Sequence, residues 1–566
     1  MSPPESTESR EERRRLRAER RAVRDGQAPP PPAAGPAPAS DRPRGRRVAR
    51  NTAIFSIATG LSRIAGLVRE IVASSYFGTS GPFSAFTIAF QVPNLVRALF
   101  ADAALSAAFV PVFTELLEQK RRQEAFRLAS TLLFVILLIL GAITAFFVLA
   151  AGLIMPVFTG HTFDHELTTL TVGLSQVLFP IVVLLGINGL VVGILQTYDH
   201  FSIPAIAPLV WNVVIVAVLI GLRGRFHGPD QLYAYALGVL AGTVVQLGMS
   251  VYALRRIDFR FALAFDWRDE RVVRVLKLMV PVCIGLGIIN FDLLINSSLG
   301  TLVSTEAPRA IDAAFRIYML PQGMFSVAVA TVLFPALSAF AARRDLGGLR
   351  SAMSTGLRQI NLLLVPAAAF LLVLSTPVVR LVFEHGAFGP ADTQRVSTAL
   401  FWFAFSLPFS GLNLLLTRTF FSLQKTWMPT KLAAVNMVAD VIVSLALYKP
   451  FGIAGLVIGT AVASALMTAL QVVYLRRELD GRIEGHQTIM ITVRIAAGSI
   501  ALAGGAWVVW WALDAVLGRS VPAQIVAVGA AAAAGLWVYV RAVLRMRVPE
   551  AGQIQRLVAG RLGRST

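Results

Sequence analysis

Between residues 50 and 545 the chain is built from apolar runs, most of them twenty residues or longer, separated by short polar breaks. No other feature restricts its fold so tightly. About 20 apolar residues cross the hydrocarbon core of a bilayer as a helix. In lipid every backbone N–H and C=O must be satisfied within the structure, so only helices and closed barrels span it. Barrel strands alternate apolar and polar residues over about ten positions, whereas these runs are continuous. The mean hydropathy of +0.66, with only 15% charged residues in 566, leaves no reading as a soluble chain.

The runs predict an all-α polytopic membrane protein of about fourteen spans: 50–77, 83–113, 128–158, 168–196, 203–222, 232–254, 272–304, 309–341, 354–383, 393–423, 429–448, 452–475, 488–516 and 521–545. Segments after even-numbered spans carry twenty Lys and Arg; segments after odd-numbered spans carry six, Arg223, Arg225, Arg309, Arg395, Lys449 and Arg519. Basic loops stay on the cytoplasmic side, which puts both termini in the cytoplasm.

Residues 1–49 are Arg-rich and then Pro/Ala-rich, with nothing apolar to bury, and read as a disordered cytoplasmic tail. Such a basic tail beside a membrane attracts anionic lipids. The net charge of +20 is spread over every loop on one side, a topology signal that argues against nucleic acid as a partner. A single cysteine, Cys283, rules out an internal disulfide. There is no phosphate-binding glycine-rich loop with GKS/T, and no cofactor is expected. His161 and His165 read as solvated exterior residues.

An internal repeat organises the spans. The segment 178–212 echoes 406–436, with Pro180 answering Pro408, Gln196 answering Gln424 and Pro204 answering Pro429; Pro93 and Pro321 fall in another matching pair. The offset stays near 225 residues. Spans 1–6 (50–256) and 7–12 (257–480) read as two lobes of one orientation, with a substrate cleft between them. Spans 13 and 14 (481–547) are appended, followed by a cytoplasmic tail at 548–566.

Charges inside the spans mark the cleft. A charged residue at the bilayer centre costs roughly 2.5–3.5 kcal/mol even on lenient scales, and such residues face cavities or ligands. Arg63, Arg69 and Glu70 lie in span 1, Arg97 and Asp102 in span 2, and Arg316 in span 8. The fixed guanidinium fork suits phosphate better than an ammonium does. Glu70, one heptad from Arg63, is placed to neutralise it. In the other half, Asp292, Asn436, Asp440 and Thr460 supply the oxygens a hard cation needs; a hydrogen-bonded acid cluster is the alternative.

The runs GLSRIAGLVREIVASSYFG and AFTIAFQVPNLVRALFADAALSAAFVPVFTE resemble the opening spans of the MurJ/MviN family of lipid II flippases, in the multidrug/oligosaccharidyl-lipid/polysaccharide exporter superfamily. FSIPAIAP, LPQGMFSVAVATVLFPALS, LVFEHGAFGPADT and RTFFSLQKTWMPT extend the resemblance over about residues 50–545. It implies a transporter, not an enzyme, that moves lipid II across the bacterial plasma membrane by alternating access. It also implies cavity arginines at Arg63, Arg69, Arg97 and Arg316 and a Na+ at the Asp292–Asp440 cluster. Glu70 and Asp102, with Ser84, read as gate or counter-ion residues, structural pairing of the acids being the alternative. The lipid tail would lie along spans 13 and 14, and cell-wall synthesis and division proteins are the implied protein partners.

The family pattern is broken at Ser84, Phe315 and Met319, where acids often stand, and at Ala98, where a second arginine often follows Arg97. An exporter of another polyprenyl-linked glycan or of cationic drugs, a membrane glycosyltransferase, and a non-transporting cell-wall scaffold are the other readings. A drug exporter would place acids in the cavity. A transferase would need catalytic acids outside, where only Asp164, Glu166, Glu384 and Asp392 stand. A scaffold would not need the arginines.

Overall fold

The computed structural model describes residues 42–100, 103–198, 200, 202–257, 259, 261, 266–425, 427–479 and 484–552. Among these, the side chains of 42–57, 59, 97–100, 103–108, 280–282, 284–290 and 292 are outside the description. Residues from Ile57 onward form one compact unit.

Seventeen α-helices and no strand are found among the described residues. They are α1 (Arg42–Phe77), α2 (Gly81–Phe100), α3 (Ala103–Glu118), α4 (Arg122–Ile154), α5 (His165–Leu178), α6 (Pro180–Thr197), α7 (Ser202–Leu222), α8 (Gln231–Leu254), α9 (Glu270–Gly300), α10 (Ala307–Pro321), α11 (Val327–Ala342), α12 (Leu346–Phe383), α13 (Pro390–Ser422), α14 (Trp427–Phe451), α15 (Ile453–Glu478), α16 (Gly485–Leu517) and α17 (Val521–Arg545). Eleven spans among the described residues are long and apolar enough to cross a membrane. Counting α2 with α3, α5 with α6 and α10 with α11 as single spans leaves fourteen, compatible with the sequence expectation.

Proline explains two of these breaks. Pro180 opens α6 immediately after α5, and Pro321 ends α10 ahead of a π-helical turn at Gln322–Ser326. Proline removes one N–H and crowds the preceding turn, and π-turns concentrate at functional sites.

Helices in lipid gain nothing from hydrophobic exclusion and associate where small residues let backbones approach. Two helix pairs use this device in the same way. On α8, Gly238 and Gly242 face Ile215 and Trp211 of α7, where an added Cβ would lie 2.9 and 3.0 Å from their carbonyl oxygens. On α15, Gly455 and Gly459 face α14, where a Cβ would lie 2.2 Å from the Leu447 carbonyl and 2.2 Å from Ser444 Oγ. In each pair the glycines stand four residues apart on the second helix.

Buried apolar residues form two large cores. The first is built on α1–α8, the second on α10–α15. Helix α9 joins them: Val272, Val275 and Leu294 belong to the first core, while Leu299 packs on the second. At the end of the bundle holding the segments after α1, α4, α9 and α12, the two cores are tied directly. Ala387 N–H donates to the Ser75 carbonyl (2.8 Å), Thr79 Oγ1 donates to Asp392, and Gly160 N–H donates to Thr301 Oγ1 (2.6 Å). Gly78 and Gly386 turn here with φ of +58° and +63°, and a Cβ on Gly386 would lie 2.3 Å from the Ser75 oxygen. Only glycine takes this conformation readily.

Helices α16 and α17 pack on each other and on α12. Their anchor is ionic. Arg358 of α12 donates to Glu550 through Nε and to Glu484 through Nη1 (3.1 Å), and both Arg358 and Glu550 are buried. Removing one partner of a buried ion pair costs about 3–5 kcal/mol, because the other charge is left uncompensated. Arg358→Ala is therefore expected to lower the unfolding temperature of the purified protein, and adding Glu550→Gln to recover part of the loss. An unchanged melting curve for Arg358→Ala would mean that this clamp does not hold the hairpin.

Candidate functional site

Helix α1 carries its polar residues on one stripe. Arg63, Gly66 and Glu70 follow one another at spacings of three and four, and Arg69 flanks them. Residues so spaced share a helix face. That face lines a cavity of about 530 Å³, closed on its other sides by Phe83 and Thr87 of α2, Trp211 of α7, Tyr235 of α8 and Arg309, Asp312 and Arg316 of α10. Four guanidinium groups and two carboxylates line it, an excess of two positive charges.

The charges are organised around Glu70, which is 2% exposed. Its Oε1 accepts from Arg69 Nη2 (2.6 Å). Its Oε2 accepts from Arg309 Nη2 (3.0 Å) and lies 3.2 Å from Arg316 Nε. Asp312 is the second acceptor, 2.7 Å from Arg309 Nη1 and 3.0 Å from Arg316 Nε. Arg309 also donates from Nη2 to Ser74 Oγ (2.9 Å) and lies 4.0 Å from the centre of the Phe83 ring. Arg69 lies 4.9 Å from the Trp211 ring. Face-on aromatic contacts of this kind are favourable to a cation and leave the rest of the guanidinium available.

Arg63 stands apart. It is exposed, no ion pair of it is seen among the described residues, and it lies against the π-helical turn, where a Cβ on Gly323 would be 3.2 Å from its Nη1. The heptad pairing of Glu70 with Arg63 is thus replaced by pairing with Arg69, Arg309 and Arg316. Ser84 is fully buried and accepts the backbone N–H of Arg309 (3.2 Å). Arg97 lies on α2 with its side chain outside the described residues, and Asp102 falls wholly outside them.

Two residues of this site were not anticipated. The sequence places Arg309 with the exterior segments, yet it is 2% exposed at the start of α10. Asp312 went unremarked. The spacing Arg309, Asp312, Arg316 (i, i+3, i+7) sets all three on one face of α10 and is the signal that reveals them. Asp312 also supplies an acid where Ser84, Phe315 and Met319 lack one.

The oxygen cluster lies between α9, α14 and α15. Asp440 is buried; its Oδ2 accepts from Asn296 Nδ2 (2.7 Å), its Oδ1 accepts from Ser444 Oγ (3.2 Å), and Thr460 Oγ1 lies 3.4 Å from Oδ2. Asn436 Oδ1 is buried without a protein hydrogen-bond partner. A buried carboxylate, two hydroxyls and an orphaned amide oxygen are a donor set suited to a hard monovalent cation. Asn296 and Ser444 join the residues read from sequence, while the Asp292 side chain lies outside the described residues. No group of three or more His, Cys, Asp or Glu able to hold a metal occurs among the described residues.

A family model described as the lipid II flippase MurJ matches residues 73–528. The chain belongs to the MurJ family of lipid II flippases. The lipid II flippase MurJ of Burkholderia cenocepacia is 29% identical over 424 residues, covering 74% of this chain and 82% of its own length. A probable lipid II flippase MurJ of Rhizobium meliloti is 31% identical over 415 residues, covering 72% and 76%. Among solved structures, a lipid II flippase MurJ in an inward closed conformation superposes with a TM-score of 0.72 at 23% identity, over 87% of this chain and 98% of that one. An inward-facing MATE multidrug-resistance transporter shares the fold with a TM-score of 0.64 at 15% identity, over 74% and 95%.

Membership in the MurJ family makes this chain a multi-pass membrane transporter rather than an enzyme. Three of the four acids weighed for a transferase have structural partners: Asp164 caps α5 through the Leu167 N–H (2.8 Å), Glu384 accepts from Thr393 (2.6 Å), and Asp392 accepts from Thr79, Gly389 and Arg395.

Because Glu70 is the acceptor for three guanidinium groups, Glu70→Gln is expected to destabilise the purified protein by several kcal/mol, as loss of a buried partner does. Arg63→Gln should fall within about 0.5 kcal/mol of the parent, as at other exposed sites. Thermal unfolding of the two variants side by side checks this; equal shifts would contradict the pairing.

Proposed function

We propose that this chain moves lipid II from the cytoplasmic to the exterior leaflet of the bacterial plasma membrane by alternating access. The observation that carries the reading is the excess of positive charge in a cavity among membrane spans, with Arg63 and the partly exposed Arg316 facing its interior. A lipid-linked pyrophosphate brings the compensating charge, and guanidinium forks bind it in paired hydrogen bonds. A cationic cargo would meet repulsion here. Its size, about 530 Å³, is within the roughly 300–1,000 Å³ usual for ligand sites.

In this reading Arg63, Arg69, Arg97 and Arg316 receive the headgroup, and Glu70 and Asp312 hold the arginines in its absence. Both termini are cytoplasmic. The end tied by Ser75–Ala387, Thr79–Asp392 and Gly160–Thr301 then faces outward, so the cavity loads from the cytoplasm. The two cores rock as lobes about the cleft, and the lipid tail stays in the membrane along α16 and α17, where Ile500, Trp507, Trp511 and Trp537 are exposed. Such aromatic and apolar surface suits a polyprenyl chain. The basic N-terminal tail adds attraction to anionic lipid.

A ligand drives a conformational change only if it binds the two states differently. Arg–phosphate contacts that replace Arg–Glu70 contacts meet that condition. Resetting the empty carrier falls to the membrane potential or to Na+ held by Asp440, Asn436 and Thr460, which would supply positive charge to a buried carboxylate.

Outer-leaflet accessibility of lipid II tests the reading in a strain depleted of its own flippase and rescued by this chain. The parent restores accessibility; Arg69→Ala and Arg316→Ala, inserted at equal levels, fail. Rescue by both variants would make the arginines structural. In proteoliposomes, Asp440→Asn should abolish stabilisation of the protein by Na+ over K+ in thermal unfolding. Absence of any Na+ effect on the parent would remove the cation from the cycle.

A further inference from the structure

The carboxylate of Glu70 is divided between two kinds of arginine. Arg316 is one-third exposed and lies open to the cavity, whereas Arg309 belongs to the cavity wall and is 2% exposed, its guanidinium taken up by Glu70, Ser74 and Asp312. Arg309 does not bind within its own helix alone. Its side chain crosses to α1, donating to Glu70 Oε2 (3.0 Å) and Ser74 Oγ (2.9 Å), and its backbone N–H reaches Ser84 of α2 (3.2 Å). Asp312, 2.7 Å away, holds the guanidinium in place from the α10 side. These contacts lie close along the chain to the Ser75–Ala387 and Thr79–Asp392 ties, so Arg309 reinforces the same closed end.

We propose that Arg309 is the bolt of the exterior gate: a positioning residue that never touches cargo, fastens α10 to α1 through Glu70 and Ser74, and is released when an anion in the cavity takes Arg316 from that carboxylate. The inference rests on the anionic-headgroup reading above. In the closed arrangement an incoming phosphate must compete with Glu70 for Arg316, and its charge also repels the carboxylate. In an open arrangement with Glu70 withdrawn, Arg316 is free to bind phosphate with no competitor. The anion therefore binds the open arrangement better and shifts the population toward it. Arg309 sets how much closed gate there is to overcome. Its Nε is buried without an acceptor, so the bolt is held by part of its fork and is not a fully satisfied structural pair.

The test uses the full chain in nanodiscs with Cys283→Ser and spin labels at His165→Cys and Gln394→Cys, two exposed positions on α5 and α13 at the gated end. Interlabel distances are measured without and with lipid II, and lipid II binding is measured on the same samples. The parent should be mainly short and lengthen with lipid II. Arg309→Gln should raise the long-to-short ratio about tenfold without lipid, within the span of typical site-to-site couplings, and should respond little to added lipid. Arg309→Lys, which keeps the charge but not the fork, should fall between.

Lipid II binding should survive in Arg309→Gln and be lost in Arg316→Gln. Distances in Arg309→Gln and Arg309→Lys that match the parent would overturn the bolt, as would loss of lipid binding in Arg309→Gln equal to that in Arg316→Gln. If Arg309→Gln does not fold, the lysine variant decides alone. If the parent binds no lipid II, the cargo reading fails, while the lipid-free distances still decide the bolt.

Discussion

One carboxylate, Glu70, sits at the meeting point of Arg69, Arg309 and Arg316, and the arrangement of the cavity depends on that sharing. In a low-dielectric interior an isolated guanidinium is costly, and so is an isolated carboxylate. Full neutralisation would have produced a structural ion pair and nothing more. Here two acids stand among four arginines and pair with three of them, so the acids fix where those guanidinium groups stand without cancelling the field of the site. The remaining charge is carried at Arg63 and Arg316, the least buried of the four, where water or an anion can solvate it. Burial and pairing are thus graded across the site: Arg309 is sealed and held from several sides, Arg316 is half-committed, and Arg63 is free of ion pairs among the described residues.

The rest of the fold serves to bring α1 and α10 to that carboxylate from different cores. The site lies where the two meet, lined by Phe83 and Tyr235 of the first core and by Phe315, which packs on the second. Helix α9 packs on both, and the glycine pairs on α8 and α15 keep α7–α8 and α14–α15 as tight two-helix units within their own cores. Rigid units joined by a few polar contacts favour two discrete arrangements over continuous deformation. Hydrogen bonds and an ion pair are among the contacts that join the cores at the tied end, and such polar contacts can be exchanged without repacking a core.

Most of this architecture was legible in the sequence because a bilayer imposes a length and a polarity on each helix. The helical fold, the arginines of α1 and Arg316 were all readable from charges set in apolar runs. What was missed lay at the edges of those runs. Arg309 sits where hydropathy changes from loop to span, so counting placed it outside; its burial comes from α1 and α2, partners more than 220 residues away in the chain. Glu70 followed the same logic: the heptad rule offered Arg63, but the tertiary neighbours on α10 won. Arg358 and Glu550 form the clamp of the last hairpin, and Glu550 lies beyond the final apolar run, where no local pattern marks it.

The missing acids at Ser84, Phe315 and Met319 make sense once Arg309 and Asp312 are placed. A site of this kind needs its arginines oriented and partly compensated, and it does not matter physically which helix turn supplies the compensating carboxylate. Asp312 stands one turn before Arg316 and meets both Arg309 and Arg316, while Ser84 gives up a charge and keeps a hydrogen bond to the same helix end. The fold is shared with an inward-facing MATE transporter at 15% identity. Within such a scaffold, the sign and placement of charge around one cleft decide what can enter it. Here that charge favours an anion and opposes a cation, and the Arg316–Glu70 contact between α10 and α1 is the one that an entering anion is best placed to weaken.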